Sequence, residues 1–433
     1  METIKRTTLL AIDLIGVPAV TQASWINIHD SFYNWAINEG NQGIKRSKEV
    51  FSYTLSYLLG ENPIPPPWLS MSKKVKDSPK ILETVWYWIN QNPKSGLSLL
   101  RYSDLFTAVL DDKNCLDAMA PITEADTRSK DQPFEELILK IAGYYRVPRL
   151  KVEIGSVPLF TKGPNGISIL SLHRDSKALS SEGILAPVME LGERIASITP
   201  GISTSDVVRS VVRDFSEPES VKLTPSKSDN HVGRVVFLAE KSAKIRVIAQ
   251  GDYITQSVLK PIHDSLAGIL RSIPGDWTFD QEGGKEWVRK KTTTAKWCAS
   301  YDLSNATDRL PLDLQAKVIS TVLPGELGDI WSQVIGERRF TYTLPSGKMG
   351  YVKYSVGQPM GFYSSFVSFA LLHHCVVNAA FEFAHGRPGK NFYAIIGDDM
   401  VIFDQAAGTV YLDIIRSIGG VINLKKSRLS TSK

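Results

Sequence analysis

The stretch YAIIGDDMVIFD, residues 393–404, sets two adjacent carboxylates, Asp398 and Asp399, between two short apolar runs. Both runs are rich in β-branched residues, so each reads as a strand buried on at least one face. The Gly-Asp-Asp between them then makes a tight hairpin. Two readings are open here. Glycine tolerates positive φ and aspartate is a common turn residue, so the acids can be turn chemistry and nothing more. They can also form one wall of a site that needs paired carboxylates. The rest of the chain has to separate the two.

The chain has 433 residues, enough for two to four domains or one large multi-part enzyme. Hydrophobic residues make up 43% and charged residues 22%, the balance of a folded globular protein rather than a disordered one. A net charge of +5 is compatible with a polyanionic partner and does not require one. Cys115, Cys298 and Cys375 lie far apart, with neither zinc spacing nor a disulfide framework, so a reducing compartment is the default. At the start, Glu2 and Asp13 interrupt the apolar run of METIKRTTLLAIDLIGVPAV, which makes a poor signal peptide and an indecisive transit peptide. The tract GFYSSFVSFALLHHCVVNAAFEFA, 361–384, is long enough for a bilayer but carries His373, His374, Asn378 and Glu382. It reads as a buried helix, and no membrane span is expected.

The first half is helical in pattern: SFYNWAINEG, ILETVWYWINQN, PFEELILKIAGYYRV and SEGILAPVMELGERIASI space apolar residues for helices. NPIPPPW (62–68) breaks the pattern, and the polar segment 216–230 reads as an exposed loop. From 231 the texture changes. GRVVFLAE and AKIRVIAQ read as a strand pair, then YITQSVLKPIHDSLAGILRSI as a helix, then a helix leading into the strand that ends at Asp302.

A carboxylate at a strand end, facing a second pair on a hairpin, suits a divalent-metal site. Mg²⁺ takes oxygen ligands and keeps several waters, so one or two carboxylates plus substrate phosphates suffice. Against this, Asp302 and Asp308 can be a helix cap and a surface acid. In YSVGQPMGFYSSF, Gly357 and Gly361 frame a turn, and Ser364 and Ser365 sit where a helix begins. Glycine permits a close backbone approach, and such hydroxyls cap a helix or bind a sugar or phosphate. Lys241, Lys244 and Arg246 crowd one strand-like segment, with Lys244 and Arg246 on one face at period two. They can grip a triphosphate or line a solvated edge strand. GGVINLKKSRLS reads as a strand ending in Lys425 and Lys426, a source of a general acid or a basic surface turn. His373 and His374 read as satisfied core histidines, and Asn378 as a residue able to reach a ribose.

In order along the chain, KIRVIAQGDYITQSVLKPIHDSL, YDLSNATDRLP, GQPMGFYSSFVSFALLHH and IIGDDMVI resemble the RNA-dependent RNA polymerases of mitoviruses, capsidless RNA elements of mitochondria. The likeness is strong over about 231–428 and loose before that. It implies an α+β fold: a helical N-terminal region (1–200, with part of the fingers), fingers (201–297) and a palm (298–433) whose central antiparallel sheet is flanked by helices. It implies Asp302, Asp398 and Asp399 as ligands of two Mg²⁺ ions, with Mn²⁺ as a substitute, and Lys426 as a catalytic acid. Lys241, Lys244, Arg246, Asp308, Ser364 and Ser365 would contact the NTP, with Asp308 helping to recognise the ribose. Gly357, Gln358 and Gly361 would contact RNA. The partners implied are RNA template, RNA product and NTPs, and the location implied is the mitochondrion. Family members continue past the point where this chain ends in KKSRLSTSK, through a further hairpin and a helical thumb. The expectation is therefore a thumbless, truncated polymerase, such as an integrated copy of a viral gene. A reverse transcriptase fits less well, because glycine precedes the acid pair. A non-catalytic remnant that keeps the fold and RNA binding is the alternative from another class.

Overall fold

The computed structural model describes residues 10–128, 131–150, 162–199, 230–424 and 426–431. Apart from Asn230, the loop expected at 216–230 lies outside these residues. The chain divides into two compact units, Met1–Ala118 with Phe237–Arg246, and Met119–Val236 with Val247–Lys433.

In the first unit, helices α1 (Ala19–Glu39) and α2 (Asn41–Leu58) pack on each other across Gly40. A side chain on Gly43 would meet the Trp35 carbonyl at 1.9 Å, so glycine there lets the two helices approach closely. Trp25, Phe32, Val50, Trp86 and Leu100 form the core, together with helix α3 (Pro93–Leu100). Proline at the start of α3 costs no hydrogen bond, because the first turn has no acceptor for that N–H.

The second unit carries the sheet on which Asp302 and Asp399 lie. Before that sheet come α4 (Glu135–Gly143), α5 (Leu185–Ser197), the strands β1 (Gly233–Ala239) and β2 (Ile245–Gly251), of which Phe237–Arg246 belongs to the first unit, and helices α6 (Tyr253–Ser272) and α7 (Gln281–Thr292). Strand β3 (Trp297–Asp302), helices α8 (Leu312–Val322) and α9 (Gly328–Gly336), and strands β4 (Phe340–Thr343) and β5 (Met349–Val352) follow. The unit ends with α10 (Ser365–His385), β6 (Tyr393–Ile396), β7 (Asp399–Ile402), α11 (Gln405–Ser417) and β8 (Arg428–Thr431). Asp252, Asp280 and Asp404 each accept a hydrogen bond from a backbone N–H in the first turn of α6, α7 and α11, which fixes where those helices begin.

Two sheets result. One is mixed, in the order β2-β1-β4-β5, with β1 parallel to β4. The other is wholly antiparallel, in the order β8-β3-β7-β6. Together with the helices they make the α+β class expected from the sequence. α10 is apolar around its whole circumference and is buried within the unit, as such a helix must be in water. α10 packs against α11, α4, α6 and α8, and Tyr411 of α11 stacks on Tyr301 of β3 at 5.6 Å.

One expectation is overturned. The strand predicted to end in Lys425 and Lys426 instead begins after them, at Arg428. Val421–Leu424 supplies only an isolated bridge, Leu303 to Ile422. Pairing with β3 decides this, because Arg428–Thr431 finds free edge positions opposite Ser300–Trp297.

Candidate active site

β6 and β7 are joined by two residues, Gly397 and Asp398, with Ile396 opposite Asp399. Gly397 takes φ +65° and Asp398 a negative φ, the pattern of a type II′ turn, whose twist matches that of the strands it joins. On the other side of β7, the register brings Asp399 directly opposite Asp302, the last residue of β3. Like charges in directly opposite positions destabilise an antiparallel pair, so this arrangement calls for a cation. Lys426 supplies one within the chain, its Nζ lying 3.4 Å from Asp302 Oδ1 and 3.3 Å from Oδ2.

The end of β3 is clasped by the turn that carries this lysine. Asn423 N–H donates to the Asp302 carbonyl at 2.8 Å, and Asp302 N–H donates to Ser427 Oγ at 3.1 Å. Ser427 Oγ in turn donates to the Asn423 carbonyl at 2.9 Å. The strand end and the lysine are thereby held as one piece. Ser427 escaped notice in the sequence because a lone serine after two lysines carries no periodic signal.

Asp302 Oδ2 is buried and makes no hydrogen bond, although Lys426 lies within ion-pair range. A buried carboxylate oxygen with its lone pairs unused fits a hard divalent cation. Asp398 and Asp399 are exposed beside it on the turn and the head of β7. Among the described residues no group of three His, Cys, Asp or Glu side chains is gathered as a metal cage. With so few carboxylates, water and phosphate oxygens would have to complete the shell of any Mg²⁺ held here.

Asp308 sits in the single helical turn Ala306–Arg309, half-buried, and burial raises its carboxyl from the ordinary range to about 7, against the opposing pull of Arg309. Its carbonyl accepts from Gly357 N–H at 3.0 Å, and Thr307's carbonyl accepts from Gln358 N–H at 3.0 Å. A Cβ on Gly357 would lie 2.2 Å from the Thr307 carbonyl, so the loop can dock there only as glycine. Gly361, at φ +123°, docks against the Ala249 carbonyl of β2 in the same way. The two glycines thus seat the loop on protein backbone.

The polar side chains of that loop face inward. Gln358 is fully buried, and its amide donates to Gln315 Oε1 at 2.6 Å and to the Ser365 carbonyl at 2.9 Å. Ser364 is also fully buried, in the left-handed region at φ 69°; its hydroxyl accepts from Trp331 Nε1 at 2.8 Å and donates to the Tyr363 carbonyl. Ser365 opens α10 and is 3% exposed. Ser364 caps no backbone N–H of α10 with its side chain. Trp331 and His263, whose Nδ1 lies 3.2 Å from Ser364 N, shape this corner from other helices and left no local signature in the sequence.

Lys241, Lys244 and Arg246 belong to the first unit, at the tip of the β1–β2 hairpin. Ser242 and Ala243, at φ 59° and 55°, make the turn, which is anchored by Ser242 donating to the Asp104 carboxylate. Lys241 bridges to Thr107. Lys244 and Arg246 share one partner, the Glu240 carboxylate, at 3.7 Å and 2.6 Å, which agrees with their common face. Arg246 holds the Glu240 carboxyl below its usual range.

Asn378 does not reach out to a ribose. It is 2% exposed, and its amide bonds the Tyr145 and Tyr393 hydroxyls and the His374 carbonyl. The partners of this polar residue lie within the core. His373 and His374 are fully buried and hydrogen-bonded on both ring nitrogens, as expected.

Residues 151–433 match the family described as mitovirus RNA-dependent RNA polymerase. The chain belongs to that polymerase family. It is 32% identical over 202 residues to the RNA-directed RNA polymerase of Cryphonectria parasitica mitovirus 1, a match covering 46% of this chain and 24% of that protein. Two uncharacterized mitochondrial proteins of Arabidopsis thaliana are 32% and 30% identical, each over 37% of this chain and over 65% and 78% of their own lengths. Among solved structures, the RNA-dependent RNA polymerase of a human picorbirnavirus aligns with TM-score 0.45 at 13% identity, over 84% of this chain and 69% of that one. Its insertion-loop deletion mutant gives TM-score 0.46 at 13% identity, over 84% and 72%.

Proposed function

We propose that the chain carries out template-directed RNA synthesis, joining an NTP to an RNA 3′-hydroxyl with loss of pyrophosphate. The observation that carries this reading is the cross-strand placement of Asp302 against Asp399 beside the Gly397–Asp398 turn, in a chain of this polymerase family. Asp302, Asp398 and Asp399 would hold two Mg²⁺ ions, or Mn²⁺ in their place. When bound, such ions lower the cost of ionising the attacking hydroxyl and stabilise the charge on the leaving pyrophosphate.

The chain's own side chains do the rest. Lys426, paired with the Asp302 carboxylate and 60% exposed, would give a proton to the leaving pyrophosphate oxygen. Lys241, Lys244 and Arg246 would exchange Glu240 for NTP phosphates, a stronger set of acceptors for charge-assisted hydrogen bonds. Asp308 would meet the ribose, with Ser364 and Ser365 shaping the loop behind it rather than presenting hydroxyls in the present conformation. Gly357, Gln358 and Gly361 would act on RNA through the backbone path they fix. The fingers would lie in 201–297 and the palm in 298–433. The names of the relatives support a mitochondrial setting.

The test is extension of a primed RNA template by the purified chain, with NTPs and Mg²⁺ or Mn²⁺, beside Asp398→Asn. Product from the wild type alone is expected. No product from a folded wild type under either metal would overturn the assignment of activity to this chain and favour a remnant that keeps the fold.

A further inference from the structure

The turn that carries Asp398 is held from beneath by a buried hydrogen-bond relay that the polymerase reading leaves unexplained. His373 of α10 is fully buried, with Nδ1 2.8 Å from the Gly397 carbonyl and Nε2 2.9 Å from the Tyr411 hydroxyl of α11. The chemistry of the partners fixes the protons. A carbonyl oxygen can only accept, so Nδ1 must carry the hydrogen. Burial lowers the ring's pKa to about 4, so the ring is neutral and Nε2 has a lone pair. Tyr411, whose hydroxyl burial keeps protonated, then donates to Nε2. Next door, His374 faces the Asp276 carboxylate with Nε2 at 3.0 Å and the Tyr393 hydroxyl with Nδ1 at 3.0 Å. A carboxylate acceptor demands the opposite tautomer there. Two adjacent histidines thus carry their hydrogens on different nitrogens, each dictated by its partner.

We infer that His373, held as the Nδ1–H tautomer by the Gly397 carbonyl, is a positioning residue that fixes the Gly397 peptide and so aims Asp398. His374 does the same for the strand behind it. Asp276, its partner, lies in the segment that bridges to Ile395 of β6, where Trp277 N–H donates to the Ile395 carbonyl at 2.9 Å. Phe366, about two helical turns before His373, closes over the same turn: a Cβ on Gly397 would lie 2.9 Å from its ring. The turn is therefore held by a hydrogen bond to its backbone and by an aromatic ring against its glycine. The inference rests on the polymerase reading for its functional consequence, and its structural half is measurable without it.

The experiment uses the full chain with ¹⁵N-labelled histidine, in which long-range ¹H–¹⁵N correlation spectra separate the two neutral tautomers. At neutral pH, Nδ1–H is expected for His373 and Nε2–H for His374, with Tyr411→Phe leaving Nδ1–H in place at His373, because the Gly397 carbonyl still requires it. An Nε2–H or doubly protonated His373 in the wild type would overturn the relay. The functional half compares His373→Asn, whose amide lies where Nδ1 lay, with His373→Gln, whose amide lies where Nε2 lay. Mn²⁺ affinity, read from the free-ion electron paramagnetic resonance signal, should stay within about threefold for His373→Asn and fall about tenfold or more for His373→Gln, at equal thermal midpoints. Equal loss in both variants would reduce His373 to core packing and overturn the positioning role. A wild type that binds no Mn²⁺ would overturn the aiming of Asp398 and the proposed metal-dependent activity together, while the spectra still decide the tautomer lock.

Discussion

At the scale of single residues, the site is a balance of charge. Asp302 and Asp399 face each other across two strands, and Lys426 offsets them. Replacing Lys426 by alanine should cost little stability, at most ~1 kcal/mol, because the lysine is mostly exposed and its pair is screened by solvent. If it donates the proton to pyrophosphate, the same change should lower kcat by roughly 10²-fold or more with KM for NTP nearly unchanged. Single-turnover extension rates against urea unfolding separate the two effects. Gly397→Ala carries a different cost. At φ +65° an alanine pays the left-handed penalty and meets Phe366, so a loss of about 1–2 kcal/mol is expected in the unfolding midpoint. The carboxylates and the glycine were legible in the sequence because a two-residue turn between β-branched runs has a strong local signature. Lys426's salt bridge to Asp302 was not, since it joins residues far apart in the chain.

At the scale of elements, the loop from Gly357 to Ser364 shows where local reading stops. Serines at a helix start suggest hydroxyls offered to a ligand. Here the left-handed conformation of Ser364 turns its hydroxyl onto Trp331 of α9. Trp331→Phe removes that donor while keeping the aromatic volume, and a loss of about 1 kcal/mol is expected on unfolding. If the released hydroxyl can then reach the ligand side, KM for NTP should change in the same variant; an unchanged KM would leave Ser364 as a structural residue. β8 was missed for a related reason. Arg428–Thr431 has four residues and no strong alternation, and only the vacant edge of β3 makes it a strand. The long elements α6 and α10 were legible because an apolar spacing in one and an apolar run in the other persist over several turns.

At the scale of the whole molecule, buried ionisable groups set the response to pH. His373 and His29 are lowered to about 4 by burial, so the stability they hold is complete above the ordinary histidine value and is lost as pH falls from about 6.5 through 4. Asp308 is raised to about 7 by burial, so its contribution is complete below about 4 and is lost as pH rises through 7. Asp308→Asn should therefore raise the unfolding midpoint relative to wild type at pH 8 but not at pH 4, by an amount of order 1–2 kcal/mol given its half-buried position. Equal midpoint differences at both pH values would contradict the burial of that carboxyl. Elsewhere in the second unit, Arg338 and Asp252 form a fully buried ion pair at 2.7 Å, with Arg338 also donating to the Val232 carbonyl at 3.0 Å. Removing one partner, as in Arg338→Met, should cost roughly 3–5 kcal/mol, because the other charge is left buried.

Asp302, at the end of β3, and the acids of the β6–β7 turn are proposed to act together on divalent cations. Fe²⁺ can replace Mg²⁺ in such a site and, with ascorbate and peroxide, cuts the backbone near where it binds. Mapping those cuts in the full chain is the most direct test. Cleavage clustered at both 301–303 and 397–400, lost together in Asp302→Asn and in Asp398→Asn, is the predicted result. Cuts at only one of the two segments, or cuts that persist in both variants, would contradict it.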